Sequence, residues 1–355
     1  MGADPLVSWL PPDDDDEGFE AWGESDVRVR PNPKGNKPRT KTRPEHVDAI
    51  DARVLSVDRG RYTVLADEDG ADERVLTVAR ARELRKQAIV TGDRVDVVGD
   101  TSGDEGSLGR IVRIQPRTTL LRRSADDTDE IERIIVANAD QLLIVVAAAD
   151  PEPRPRLVDR YLVAAYDAGI APIMVITKTD LADPEPFLRN FEALDIPIVR
   201  SAQDAWPLAE LTPLLDGHTT VAVGHSGVGK STLVNALVPG TDRAVGIVNA
   251  VTGRGRHTSS STVSLRVPTG GWIIDTPGVR SFGLGHVDTA NILRSFADLA
   301  VVAAECPRGC THLPDAPDCE LNEAVAADTL PAQRVDSLQR LLTTLTIRPG
   351  GSVVE

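Results

Sequence analysis

Residues 224–231 read Gly-His-Ser-Gly-Val-Gly-Lys-Ser, and this G-x-x-x-x-G-K-S run constrains the fold more than any other stretch of the chain. It requires a strand before it, a helix after it, and a backbone curled so that successive N–H groups point at one anion. The flanks comply: residues 219–223 are strand-like and apolar, and residues 232–237 are amphipathic. Gly224, His225, Ser226, Gly227, Val228 and Gly229 are expected to cradle phosphates, with Thr232 at the edge of the binding set. Lys230 would reach the β- and γ-phosphates, and Ser231 would place its hydroxyl on Mg²⁺.

The phosphate loop does not select a base. Residues 177–180, Thr-Lys-Thr-Asp, follow a buried strand and lie where ligands bind in open α/β sheets. A carboxylate there accepts two hydrogen bonds from guanine, a pair that adenine does not offer, so Asp180 selects GTP over ATP. The Lys178 stem would cover the base, and Thr177 stands where the motif usually has Asn, its hydroxyl taking over part of that role. Ser201 and Ala202 follow the next strand, where backbone commonly contacts the guanine oxygen. Residues 275–278, Asp-Thr-Pro-Gly, end another strand: Asp275 would bind Mg²⁺ through water, and the Gly278 N–H would sense the γ-phosphate. Between these elements runs a glycine-rich segment in which Thr258 is the candidate to complete the Mg²⁺ shell. The guanine motif precedes the phosphate loop, whereas an ordinary GTPase has the reverse order. The elements are therefore circularly permuted, which closely spaced termini permit.

Strands alternating with helices over residues 119–287 argue for a parallel sheet covered on both faces. Residues 45–118 contain five short Val-, Ile- and Leu-rich runs separated by turn signals, as in a small OB-like barrel. Residues 119–130 read as a charged linker. Residues 288–345 read as helical and hold all three cysteines, in the pattern Cys306-x3-Cys310-x-His312-x6-Cys319. Three thiolates and an imidazole make a closed, structural Zn²⁺ site rather than a catalytic one. The expected fold class is thus multidomain α/β: an N-terminal OB-like barrel, a circularly permuted P-loop GTPase domain and a C-terminal helical zinc-binding domain.

The remaining residues are tails, 1–44 and 346–355. The first begins acidic and turns basic from Arg28 to Arg43, with prolines that interrupt any helix. It does not read as a signal peptide, and no apolar run is long enough to span a membrane. A cytoplasmic protein is expected. The net charge of −15 confines any RNA contact to local basic patches, sensitive to salt.

Together, the permuted order, the barrel, residues 224–231, the Gly-Arg-Gly-Arg-His-Thr of residues 253–258, the Asp-Thr-Pro-Gly-Val-Arg of residues 275–280 and the Cys-Cys-His-Cys cluster resemble the RsgA (YjeQ) family of small-ribosomal-subunit biogenesis GTPases. The resemblance covers residues 45–345. It implies GTP hydrolysis stimulated by the 30S subunit and a role late in subunit maturation. It also implies that barrel and zinc domain contact 16S rRNA. The motifs themselves call for GTP/GDP, Mg²⁺ and Zn²⁺, and a monomer is expected. Val279 follows Gly278 where many GTPases carry a water-orienting Gln, so His257, beside Thr258, is the candidate to position water. If no group did so, the chain would act as a nucleotide-gated RNA-binding switch with negligible hydrolysis.

Overall fold

A computed structural model describes residues 46–84, 87–124, 132–202, 205–240, 262–277, 279 and 282–346. The charged N-terminal tail, His257, Thr258, Gly278 and all but the first residue of the C-terminal tail lie outside these residues.

The first five strands are β1 (Ile50–Asp58), β2 (Arg61–Ala66), β3 (Arg74–Arg80), β4 (Arg94–Gly99) and β5 (Gly109–Ile114). They run in the order β1-β2-β3-β5-β4 and close through β4 onto β1, with Ile50 opposite Val97. Alternation with a period of two sends Ala52, Val54, Val64, Leu76, Val78, Val95 and Ile111 inward, and these small and β-branched side chains fill the barrel.

β6 (Leu120–Ser124) and β7 (Glu132–Ala137) pair antiparallel as a separate hairpin. This corrects the expected charged linker over residues 120–124, while residues 125–130 of that stretch lie outside the described residues. Leu121 and Val136, opposite each other in register, are both buried in the main core, and burial of that pair holds the hairpin in place.

Next come β8 (Gln141–Ala147), α1 (Pro155–Asp167), β9 (Ala171–Thr177), α2 (Glu185–Leu188), β10 (Ile198–Arg200), α3 (Leu208–Leu215), β11 (Thr219–Gly224), α4 (Lys230–Leu237), β12 (Val263–Arg266) and β13 (Trp272–Asp275). The order β10-β9-β8-β11-β13 is parallel throughout, and β12 adds antiparallel at its edge. β8 is buried on both faces. Leu142, Ile144 and Val146 enter the core shared with α1, while Leu143, Val145 and Ala147 enter the core shared with α3 and α4. That is why its sequence shows an unbroken apolar run.

β1 joins barrel to sheet. Its Ser56 lies opposite Thr63 of β2 and also opposite Val263 of β12, so a single 11-stranded sheet runs through both.

The chain finishes with α5 (Thr289–Arg294), α6 (Ala297–Ala303), α7 (Glu320–Ala326) and α8 (Ala332–Thr346). Asp288 caps α5, its carboxylate accepting the Ala290 N–H at 2.9 Å. Val335, Leu338, Leu341 and Leu342 of α8 share the core that contains Tyr161 and Leu162 of α1. Two arginines flank this apolar seam. Arg334 makes two bonds of 3.1 Å to Asp298 and lies 4.7 Å from the Phe296 ring centre. Arg340 donates to Asp159 at 3.1 Å and stacks 5.0 Å from the Phe191 ring centre. Asp159 is 2% exposed, and burial pushes its carboxyl up to about 6 in spite of Arg340.

Candidate functional site

Parallel strands deliver their C-terminal ends to one edge of the sheet, and the sequence-derived residues meet there. β8 ends beside Ala147, β9 at Thr177, β10 before Ser201, β11 at Gly224 and β13 at Asp275. Permutation of the chain order leaves this spatial arrangement intact, because strand pairing rather than connectivity aligns the ends.

The phosphate loop leaves β11 with little clearance. A Cβ at position 224 would lie 2.5 Å from the Val145 carbonyl oxygen, so only glycine fits. Gly229 has φ +91°, a conformation that favours glycine, and forms the N-cap of α4. Val228 is buried and anchors the loop in the core, while Ser226 and Gly227 are exposed on its outside. The N-terminus of α4 and Lys230 thus face the edge at which anions would be received.

Lys230 forms an ion pair with Asp275, whose side chain is 2% exposed. Thr276, next in the chain, is also buried and donates its hydroxyl to Ala222 of β11 at 2.9 Å. Sequence reasoning missed Thr276: a Thr inside Asp-Thr-Pro-Gly gives no sign that its hydroxyl staples β13 to β11.

Thr177 is 2% exposed. Its hydroxyl lies 2.6 Å from the Val228 carbonyl and 3.3 Å from the Val146 carbonyl. Its single proton favours the shorter contact, so Thr177 donates into the phosphate loop. Lys178, with φ +57°, donates its ammonium to the Asp150 carbonyl, and Asp180 is exposed beyond it. The Thr179 N–H bonds the Ser201 carbonyl at 3.2 Å and the Ser201 N–H bonds the Ile176 carbonyl at 2.8 Å, which brings Ser201 and Ala202 alongside residues 177–180. Asp150 was not legible as a partner for Lys178, since it lies 28 positions away on another strand's end.

At the other end of the chain, one donor atom from each of Cys306, Cys310, His312 and Cys319 falls within 4.8 Å of every other. The Cys306 and Cys319 sulfurs are 4.0 Å apart, and the Cys319 sulfur is 3.9 Å from His312 Nδ1. A tetrahedron with ~2.3 Å Zn–S bonds has edges of about 3.8 Å, so the set fits Zn²⁺ closely. His312 has φ +55°, the backbone twist that turns its ring into the cluster. Burial pushes the Cys306 thiol up to about 11 and holds the His312 imidazole below its ordinary value. A neutral imidazole is ready to ligate, and the thiols would release protons on metal binding.

Comparison with known proteins agrees with this arrangement. The RsgA GTPase family model matches residues 114–285. The small ribosomal subunit biogenesis GTPase RsgA of Ectopseudomonas mendocina is 40% identical over 266 residues, which cover 73% of this chain and 75% of that protein. This chain belongs to the RsgA GTPase family. The RsgA of Pseudomonas aeruginosa is 39% identical over the same length. Among solved structures, YjeQ from Thermotoga maritima superposes with a TM-score of 0.62 at 26% identity, covering 84% of this chain and 98% of that one. YloQ, described as a circularly permuted GTPase, gives 0.60 at 25% identity, covering 85% of this chain and 96% of that one. The barrel, the parallel sheet, the C-terminal helices and the Cys3His cluster expected from the sequence are all present here.

Proposed function

We propose that this protein hydrolyses GTP, that the small ribosomal subunit and its 16S rRNA stimulate the reaction, and that the cycle serves late maturation of that subunit. The observation that carries this reading is the convergence of Thr177, Lys178, Asp180, Val228, Lys230 and Asp275 on one sheet edge in a chain of the RsgA family.

Asp180 and the Lys178 stem would hold guanine, with backbone at Ser201 and Ala202 beside it. The loop N–H groups and Lys230 would hold the phosphates. Ser231 and Asp275 would hold Mg²⁺, which neutralises charge on the β- and γ-phosphates when bound. Lys230 must then exchange its partner, leaving Asp275 for phosphate oxygens. Val279 is buried and apolar, so it cannot orient water. His257 is proposed for that task, with Thr258 on the metal and the Gly278 N–H at the γ-phosphate. Cys306, Cys310, His312 and Cys319 would hold a structural Zn²⁺.

No helix among the described residues is long and apolar enough to cross a membrane. A monomer working in the cytoplasm, where ribosomal subunits mature, is the matching assignment. The test is GTP turnover by the purified protein, alone and with 30S subunits, against ATP and 50S controls. Stimulation by 30S alone supports the reading, and binding of GTP without stimulation overturns it in favour of a switch with negligible hydrolysis. His257→Ala should abolish stimulated turnover and leave GTP binding in place.

A further inference from the structure

β11 and β13 lead to the site and are held by the barrel at their opposite ends, and β12 beside them is held at both of its ends. β13 carries Asp275 at its C-terminal end and Trp272 at its first position. Two guanidinium groups lie over the Trp272 ring, Arg53 of β1 at 5.1 Å and Arg266 of β12 at 5.5 Å from the ring centre. Its indole N–H donates to Glu68 at 2.6 Å. Glu68, which follows β2, has a side chain only 7% exposed and also receives Arg53 Nε at 3.0 Å and a guanidinium N–H of Arg94. Arg53 reaches on to the Thr219 hydroxyl at 3.5 Å. Thr219 opens β11, the strand that ends in the phosphate loop, and stands opposite Trp272 in register.

β12 is held twice. Arg266, at its last position, pairs with Glu73 at 2.8 Å and with Asp69, both between or at the ends of β2 and β3. At its first position, Val263 pairs with Ser56 of β1, and the Thr262 carbonyl accepts the Thr91 hydroxyl at 3.3 Å.

A buried carboxylate facing two guanidiniums and an indole N–H is costly to assemble and rigid once made. β13 is four residues long and is paired along its whole length to β11 and to β12, so a shift at one end carries to the other, since packed sheets rearrange as units. We propose that Glu68 and Trp272 are positioning residues for hydrolysis: they latch the barrel to β11, β12 and β13, so that RNA seated on the barrel sets the placement of Asp275 and the phosphate loop and thereby the turnover of bound GTP. This rests on the GTPase reading above.

The test uses the full-length protein with Glu68→Gln and Trp272→Phe. The first keeps the shape and removes the charge shared by Arg53, Arg94 and the indole. The second keeps an aromatic ring for the two guanidiniums and removes the N–H. Both should retain parental 30S binding, GTP KM and unstimulated turnover, while 30S-stimulated kcat falls about tenfold, within the usual range of coupling between sites. A purely structural role would instead lower Tm and raise KM together. Stimulated kcat within about twofold of the parent in a folded Glu68→Gln protein overturns the latch, as does a loss that only tracks Tm. If Glu68→Gln does not fold, Arg266→Gln decides, because that side chain is 40% exposed and its removal leaves the buried carboxylate intact. It should lower stimulated kcat alone, and an unchanged value overturns the latch. Absence of stimulation in the parent would remove the GTPase reading and the latch with it, whereas stimulation of parent and variants alike removes the latch only.

Discussion

The Thr177 hydroxyl donates to the Val228 carbonyl across 2.6 Å, tying the end of β9 to the phosphate loop. β9 leads into the proposed guanine-reading residues, so this one bond links both halves of the nucleotide site. Thr177→Val preserves shape and removes the donor. The loss should be about 1 kcal/mol, read as roughly fivefold weaker GTP and GDP binding. Titration with a fluorescent guanine nucleotide measures it, and unchanged affinity would show that the loop holds its shape without the tether.

Lys230 and Asp275 neutralise each other in a largely buried pair. Lys230→Ala removes the cation paired with a buried carboxylate, and breaking a buried pair costs about 3–5 kcal/mol. Nucleotide-free Lys230→Ala protein should therefore melt lower than the parent and fail to bind GTP. Asp275→Asn should keep more of the stability and lose only the Mg²⁺ dependence of binding. Calorimetric melting with and without Mg²⁺ separates the two effects.

Asp159 offers a pH test of the seam between α1 and α8. Its carboxyl sits at about 6 in the fold, against about 3.9 in an unfolded chain. Between those values the folded state binds more protons, so this group withdraws stability as pH rises from about 4 to 6. Asp159→Asn has no such dependence. Its stability relative to the parent should improve by on the order of 2–3 kcal/mol across that window. Urea unfolding of both proteins at the two ends of the window checks this, and a difference that does not change with pH contradicts it.

Cys319 is both a cluster member and the N-cap of α7. Cys319→Ser should lower bound zinc measured by atomic emission, and chelation of the parent should do the same. Either change should destabilise the C-terminal helices, visible as lost helical ellipticity. GTP affinity should stay close to the parent's, because among the described residues no hydrogen bond or ion pair joins the cluster to the phosphate loop.

Local sequence determined whatever rests on short-range chemistry. The glycines of the phosphate loop were legible because Gly224 and Gly229 must satisfy backbone approach and left-handed φ that other residues cannot. The barrel strands were legible from short Val-, Ile- and Leu-rich runs between turn signals and the parallel strands from continuous apolar runs, while β6, β7 and β12 were not read; the Cys3His set was legible from its spacing. The permuted order of motifs could also be read directly, since it is a statement about sequence. Tertiary structure decided what depends on partners distant in the chain. The hairpin of β6 and β7 looked like a linker because its stabilising burial, through Leu121 and Val136, comes from the main core. The Thr177 tether, the Lys178 contact with Asp150 and the contacts of the Trp272 ring with Arg53 and Arg266 join residues on separate elements. No periodicity records such meetings, because a side chain's hydrogen-bond and cation–π partners are set by strand order and register, which only the packed sheet specifies.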